Sequence, residues 1–212
     1  MSTVWVVGAT GLVGRETVRV LLEGGDRVVA WVRRSTGLAH AGLVERVADF
    51  EKLEAAFVPE QGERPDAAVC CLGTTIKQAG SKERFRRVDY DYVLAFARAA
   101  KHGGARTFAV VTALGADAKS RVFYNRVKGE AEQALAEIGF ESLIIARPSL
   151  LLGERVQARI GERLMAPVSR LLPARYRGIE GATVARALRS LLSEAHPGRR
   201  VVLSDELQKR GV

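Results

Sequence analysis

The chain has 212 residues, of which 47% are apolar, 27% charged and 6% aromatic. These fractions exclude disorder and collagen-like repetition, and the length points to a single domain over 1–212 with a full core. The net charge of +9 is uneven: residues 1–150 carry 21 basic and 18 acidic side chains, and residues 151–212 carry 12 and 6. No apolar run reaches the roughly 18 residues of a membrane span, and no signal-peptide pattern opens the chain. Cys70 and Cys71 are neighbours in an apolar run, which reads as packing in a reducing compartment and makes the cytoplasm the expected location.

In chain order, residues 4–7 form a short β-branched and aromatic run, read as a first strand. Residues 12–23 follow with Val13, Val18, Leu21 and Leu22 as a helical stripe that stops at Gly24 and Gly25. Residues 27–32 and 44–48 read as the second and third strands. Residues 66–72 form a fourth, nearly all apolar, as a strand covered on both faces should be. Phe85, Val88, Tyr92, Phe96 and Ala99 recur at spacings of three and four, so 81–101 is expected to be one long amphipathic helix. A fifth strand over 106–112, a helix over 120–138 and a sixth strand over 141–146 continue the alternation. Residues 151–180 break the rhythm and read as irregular structure with a short helix; 150–180 is expected to be a short substrate-side lid. A helix over 182–195 and a last strand over 201–203 close the chain. This βαβα order predicts an α/β fold, a Rossmann-type doubly wound parallel sheet with a small C-terminal substrate-side region.

The strongest local signal is Val6-Val7-Gly8-Ala9-Thr10-Gly11-Leu12-Val13-Gly14, where a strand passes into a helix. A pyrophosphate needs free backbone N–H groups, the positive end of a helix dipole and a close backbone approach. Gly8 suits the tight turn, Gly11 the phosphate approach and Gly14 the packing of helix on sheet. In this context the pattern points to dinucleotide binding, with a plain tight turn as the alternative. An NAD site places Asp or Glu about 20 residues past the glycines. Here Arg33 and Arg34 stand at that place, and a guanidinium grips a 2′-phosphate with two hydrogen bonds. NADP(H) is therefore expected over NAD(H), with Arg34 the better fit to a solvated loop charge.

Tyr124 and Lys128 lie four apart on the expected helix 120–138, hence on one face. A nearby ammonium favours phenolate, and such a phenol can give or take the proton of a carbonyl or alcohol. Thr112, at the end of the fifth strand, is placed to hydrogen-bond the same oxygen. A bare match to this pair is common in helices that do no chemistry; its place after a nucleotide-binding turn gives it weight.

Five motifs then occur in one order: Gly8 to Gly14, Cys71-Leu72-Gly73-Thr74-Thr75, Val88-Asp89-Tyr90-Asp91-Tyr92-Val93, Tyr124-Asn125-Arg126-Val127-Lys128-Gly129-Glu130 and Arg147-Pro148-Ser149. In this the chain resembles the atypical short-chain dehydrogenases/reductases over nearly its whole length, and within them the Tat-interacting oxidoreductase-like branch. The resemblance implies a Rossmann-type fold binding NADP(H). It implies Tyr124 as the catalytic acid/base, Lys128 favouring its phenolate and holding the nicotinamide ribose, and Thr112 at the catalytic serine position. It also puts Asp49 and Phe50 beside adenine, Leu72, Gly73 and Thr74 beside ribose and phosphate, and Pro148, between Arg147 and Ser149, near the nicotinamide. Thr112, followed by Ala113, departs from the family's serine.

Two functions follow as expectations: an NADPH-dependent reductase of a small carbonyl compound, and a non-catalytic NADP(H) sensor that docks a protein partner. A homodimer is compatible with either. Nucleic-acid binding through the basic C-terminal part is disfavoured, since no readout motif accompanies the charge. His40, His102 and His196 are far apart, so no metal is expected. Cys71 reads as a small buried residue, Asp89 and Asp91 as solvated helix charges, and Tyr176 and Arg177 as pocket-lining or capping residues.

Overall fold

Valine, isoleucine and alanine dominate the strands that pair into one sheet, because a strand covered by helices on both faces must be apolar on both. The computed structural model describes residues 2–52, 56–152 and 173–212. The main strands are β1 (Thr3–Val7), β2 (Arg27–Val32), β3 (Leu43–Val47), β4 (Ala67–Cys70), β5 (Thr107–Val111), β6 (Ser142–Arg147) and β9 (Gly198–Leu203). All seven are parallel and run in the order β3-β2-β1-β4-β5-β6-β9. A two-residue pair, β7 (Leu151–Leu152) with β8 (Ile179–Glu180), lies apart from them. This is the Rossmann-type sheet that the alternation predicts.

Side-chain alternation along each strand divides the core in two. Val4, Val6, Ala30, Val69 and Ile144 face α1 (Leu12–Glu23) and α6 (Gly181–Ser193), meeting Val18, Leu21, Val184 and Leu188. Trp5, Val7, Cys70, Phe108 and Ile145 face α4 (Tyr92–Gly103) and α5 (Phe123–Glu137), meeting Phe96, Ala97 and Leu135. Trp5 anchors the second layer, edge-on to Trp31 at 5.0 Å and with its indole N–H donated to the Glu63 carbonyl at 2.7 Å. Strand order turns back between β1 and β4. The carboxyl ends of those two strands therefore open a crevice, where open α/β sheets receive ligands.

Three expectations need correction. The single helix over 81–101 is interrupted. Short α2 (Ile76–Ala79) and α3 (Lys82–Arg86) precede a π-helical turn, Arg87–Asp91, which passes into α4. Ser81 caps α3 through its hydroxyl, which accepts the Arg84 N–H at 3.1 Å. One widened turn leaves apolar periodicity almost intact, so it leaves no trace in spacing. Asp89, expected in solvent, sits in that turn and is only 1% exposed. The last strand begins at Gly198, earlier than expected, and a helix, α7 (Ser204–Arg210), follows it. The expected lid over 150–180 lies mostly outside the described residues.

Candidate active site

The turn between β1 and α1 is built from glycines for reasons the geometry makes specific. Gly8 has φ +82°, and a β-carbon there would stand 2.6 Å from the Cys71 carbonyl. A β-carbon at Gly14 would overlap the Gly8 carbonyl oxygen, so α1 packs directly on the turn. Gly11 N–H closes the turn on Gly8 O at 2.9 Å, and a β-carbon there would meet only that oxygen, at 3.2 Å. Gly11 is also the N-cap of α1, with no side chain bonding the helix's first N–H groups. Bare donors at the positive end of a twelve-residue helix fit an anionic diphosphate. Thr10 and Leu12 are exposed beside the turn, whereas the Val13 side chain is buried in the core and can offer a ligand only its backbone.

Across the crevice, β4 is continued by Leu72, Gly73 and Thr74. Beneath Gly73 lies a buried ion pair: Lys128 Nζ is 2.7 Å from Asp89 Oδ1, with the side chains 5% and 0% exposed. A β-carbon on Gly73 would be 3.5 Å from that ammonium and 3.6 Å from that carboxylate. The second Asp89 oxygen accepts the Thr74 N–H at 3.0 Å. Burial works against the ammonium, yet the Asp89 carboxylate holds its pKa above the ordinary lysine value. Burial pushes the Asp89 carboxyl up, against the pull of the same ammonium. Lys128 thus keeps its charge at neutral pH.

Tyr124 is one helical turn before Lys128 on α5, half-buried, with its ring 5.3 Å from that of Phe85. Gly129 lets this helix lie directly against the 117–118 backbone, which any β-carbon there would overlap. Thr112 has another partner. It is 7% exposed and donates its hydroxyl to Glu132 at 2.7 Å. Glu132, 1% exposed, also accepts Arg147 through Nε at 3.0 Å and through Nη2, with Arg199 at 3.5 Å. The Arg147 side chain therefore braces β6 against α5. Pro148 is buried and its carbonyl accepts the Leu114 N–H at 2.9 Å, while Ser149 donates to the Arg177 carbonyl and accepts from Ser204.

Arg33 and Arg34 are both exposed after β2, with no ion pair or hydrogen bond to another described residue. Asp49 is exposed and its carboxylate accepts the Glu51 N–H. The Phe50 ring is buried against Phe57 and Tyr92. Burial pushes the Cys70 and Cys71 thiols up to about 12, which leaves no thiolate for redox work near neutral pH. Among the described residues no three His, Cys, Asp or Glu side chains gather to hold a metal ion. A cavity of about 980 Å³ lies between residues 57–59 and the outer side of α4, away from the glycine turn.

Sequence reasoning missed Asp89, Glu132 and Glu45, the last a hydrogen-bond partner of Ser35 and Thr36 in the loop after β2. Asp89 is 39 positions from Lys128 and Glu132 is 20 from Thr112, distances at which local spacing carries no information.

Comparison with known proteins shows the family of the chain. The family model described as NAD(P)H-binding matches residues 8–195. The protein HTATIP2 of Rattus norvegicus is 35% identical over 197 residues, covering 91% of this chain and 80% of its own. The chain belongs to the NAD(P)H-binding family. Among solved structures, the Bordetella bronchiseptica enzyme WbmH in complex with NAD+ superposes with TM-score 0.70 at 19% identity, covering 96% of this chain and 76% of its own. The human epimerase family protein SDR39U1 with NADPH gives 0.63 at 17%, with the same coverages. These two share the fold of this chain.

Proposed function

We propose that this chain is an NADP(H)-dependent oxidoreductase that reduces a small carbonyl compound. The observation that carries the reading is the Lys128–Asp89 pair, buried under Gly73 at the crevice and one helical turn from Tyr124. A dinucleotide held here would supply the hydride for the carbonyl carbon. Gly8, Gly11, Gly14 and the first N–H groups of α1 would hold its diphosphate, and the exposed guanidiniums of Arg33 and Arg34 would suit a 2′-phosphate. Tyr124 Oη gives its proton to the carbonyl oxygen as negative charge develops there, and regains one from solvent. The Lys128 ammonium lies one helical turn further along α5. Its own charge is kept by Asp89, and Thr74 N–H holds the second Asp89 oxygen in place.

Thr112 favours a second reading. Its only proton is donated to Glu132, so toward a substrate oxygen it offers lone pairs alone. A site so arranged also suits a protein that binds NADP(H) and docks a partner without turnover. The adjacent buried thiols suit a reducing compartment, with the cytoplasm as the proposed location. No helix among the described residues is long and apolar enough to cross a membrane.

NADPH oxidation followed by absorbance with aldehydes, ketones and quinones separates the two readings. The reductase reading expects turnover by the wild type and a loss of at least about a hundredfold in Tyr124→Phe. Equal turnover in both proteins removes the assigned acid, and tight NADPH binding without turnover on any substrate favours the sensor.

A further inference from the structure

The loop after β2 reads as a phosphate-gripping loop because it opens with Arg33 and Arg34 and continues with two hydroxyls, Ser35 and Thr36. The structure brings to this loop a carboxylate from the neighbouring strand. Glu45 of β3 is paired in register with Ala30 of β2. Leu43 packs on the α1 side of the sheet and Val44 on the other, so alternation returns Glu45 to the α1 side. There its carboxylate accepts three hydrogen bonds: Ser35 Oγ at 2.5 Å, Thr36 N at 2.9 Å and Thr36 Oγ1.

Each hydroxyl has one proton to give. Ser35 Oγ gives its proton to Glu45 and accepts the Gly37 N–H at 3.2 Å; Thr36 Oγ1 gives its proton to Glu45 and accepts the Leu38 N–H at 3.1 Å. Both hydroxyls are therefore spent. Burial works against the Glu45 charge, but the Ser35 and Thr36 bonds hold its carboxyl below the usual range, so it is ionised at neutral pH. The proposed 2′-phosphate loop thus offers two guanidiniums unpaired among the described residues, no free hydroxyl proton and one fixed negative charge.

We propose that Glu45 is a specificity-determining residue of the cofactor loop: by taking the Ser35 and Thr36 protons and placing a carboxylate beside them, it restrains the preference for the 2′-phosphorylated dinucleotide that Arg33 and Arg34 create. This rests on the dinucleotide site of the proposed function. Glu45 works through the loop and is not a catalytic residue. Its removal frees two donors and lifts one repulsion, and both changes favour the phosphorylated cofactor over the unphosphorylated one.

The test is titration of NADPH, NADH and adenosine 2′,5′-bisphosphate into wild type, Glu45→Gln and Glu45→Ala, with thermal unfolding to establish that each variant is folded. Glu45→Gln keeps an amide to brace the loop, and Glu45→Ala covers the case in which that amide takes over the hydroxyl bonds. The expected result is NADPH and the bisphosphate tightened about threefold to tenfold in at least one folded variant, the scale of a gained charge-assisted hydrogen bond, with NADH within about twofold of wild type. An unchanged NADPH-to-NADH ratio in both variants, or equal weakening of the two dinucleotides, makes Glu45 a brace only and overturns the proposal. Binding of neither dinucleotide by the wild type overturns the cofactor site itself, and the proposal with it.

Discussion

An ammonium as buried as that of Lys128 keeps its charge because Asp89 stands 2.7 Å away. Removing one member of such a pair leaves a charge with neither water nor partner, which costs about 3–5 kcal/mol, whereas replacing both with neutral groups costs less. Lys128→Met should therefore destabilise the fold by about 3 kcal/mol, and Lys128→Met/Asp89→Asn should be the more stable of the two. Urea unfolding of the four proteins of this cycle measures the coupling; additive losses would mean that the pair does not act as one unit. Asp89 also shows why one half of the site escapes a reader of the sequence. Tyr124 and Lys128 are found by helical spacing, since one turn joins them. Asp89 comes from the π turn before α4, and its partner is visible only once the fold has brought that turn against α5.

At the scale of elements, the glycine turn makes two separable demands, for space within the protein and for space beside it. Gly14→Ala forces α1 off the turn, because its β-carbon would overlap the Gly8 carbonyl oxygen. Gly11→Ala meets one oxygen at 3.2 Å and otherwise points into the crevice. Gly14→Ala should lose more than about 2 kcal/mol of stability, the scale of overpacking. Gly11→Ala should keep most of its stability and weaken dinucleotide binding at least about tenfold, the cost of one obstructed backbone hydrogen bond to an anion. Thermal melts beside ligand titrations tell these apart, and equal stability losses in both variants would contradict the division. The connection before β4 carries a pH-dependent element. Glu63 is 2% exposed; its bond from Arg46 holds its carboxyl below the usual range, and it also accepts the Glu60 N–H. A depressed carboxylate adds stability above the unfolded value of about 4.3 and loses it as pH falls through the folded value. Wild type should exceed Glu63→Gln by about 1–2 kcal/mol at pH 7, and the difference should shrink below about pH 4. A difference independent of pH between 7 and 3 would show that the Glu63 charge contributes nothing.

For the whole molecule, the parallel sheet and the glycine turn between β1 and α1 were legible in the sequence because each rests on a local regularity. Apolar runs mark buried strands, and the glycines mark the turn that feeds α1. What escaped rests on cooperation between distant segments. The π turn hides in an unbroken apolar stripe. Thr112 reads as a free hydroxyl until α5 delivers Glu132. The loop after β2 reads as basic until β3 delivers Glu45. The basic excess of the C-terminal part is also partly offset by pairing within the chain: Arg199 reaches Glu132, and Arg200 and Arg210 pair with Glu194 and Glu206. Exposed pairs of this kind add little stability, but they reduce the positive surface offered to a polyanion.

Isothermal titration of the folded wild-type chain with NADPH and with NADH tests the central claim most directly. Saturable binding of one dinucleotide per chain, lost or weakened in Gly11→Ala, is the predicted result. No heat and no competition from either coenzyme, on protein shown to be folded, would contradict it.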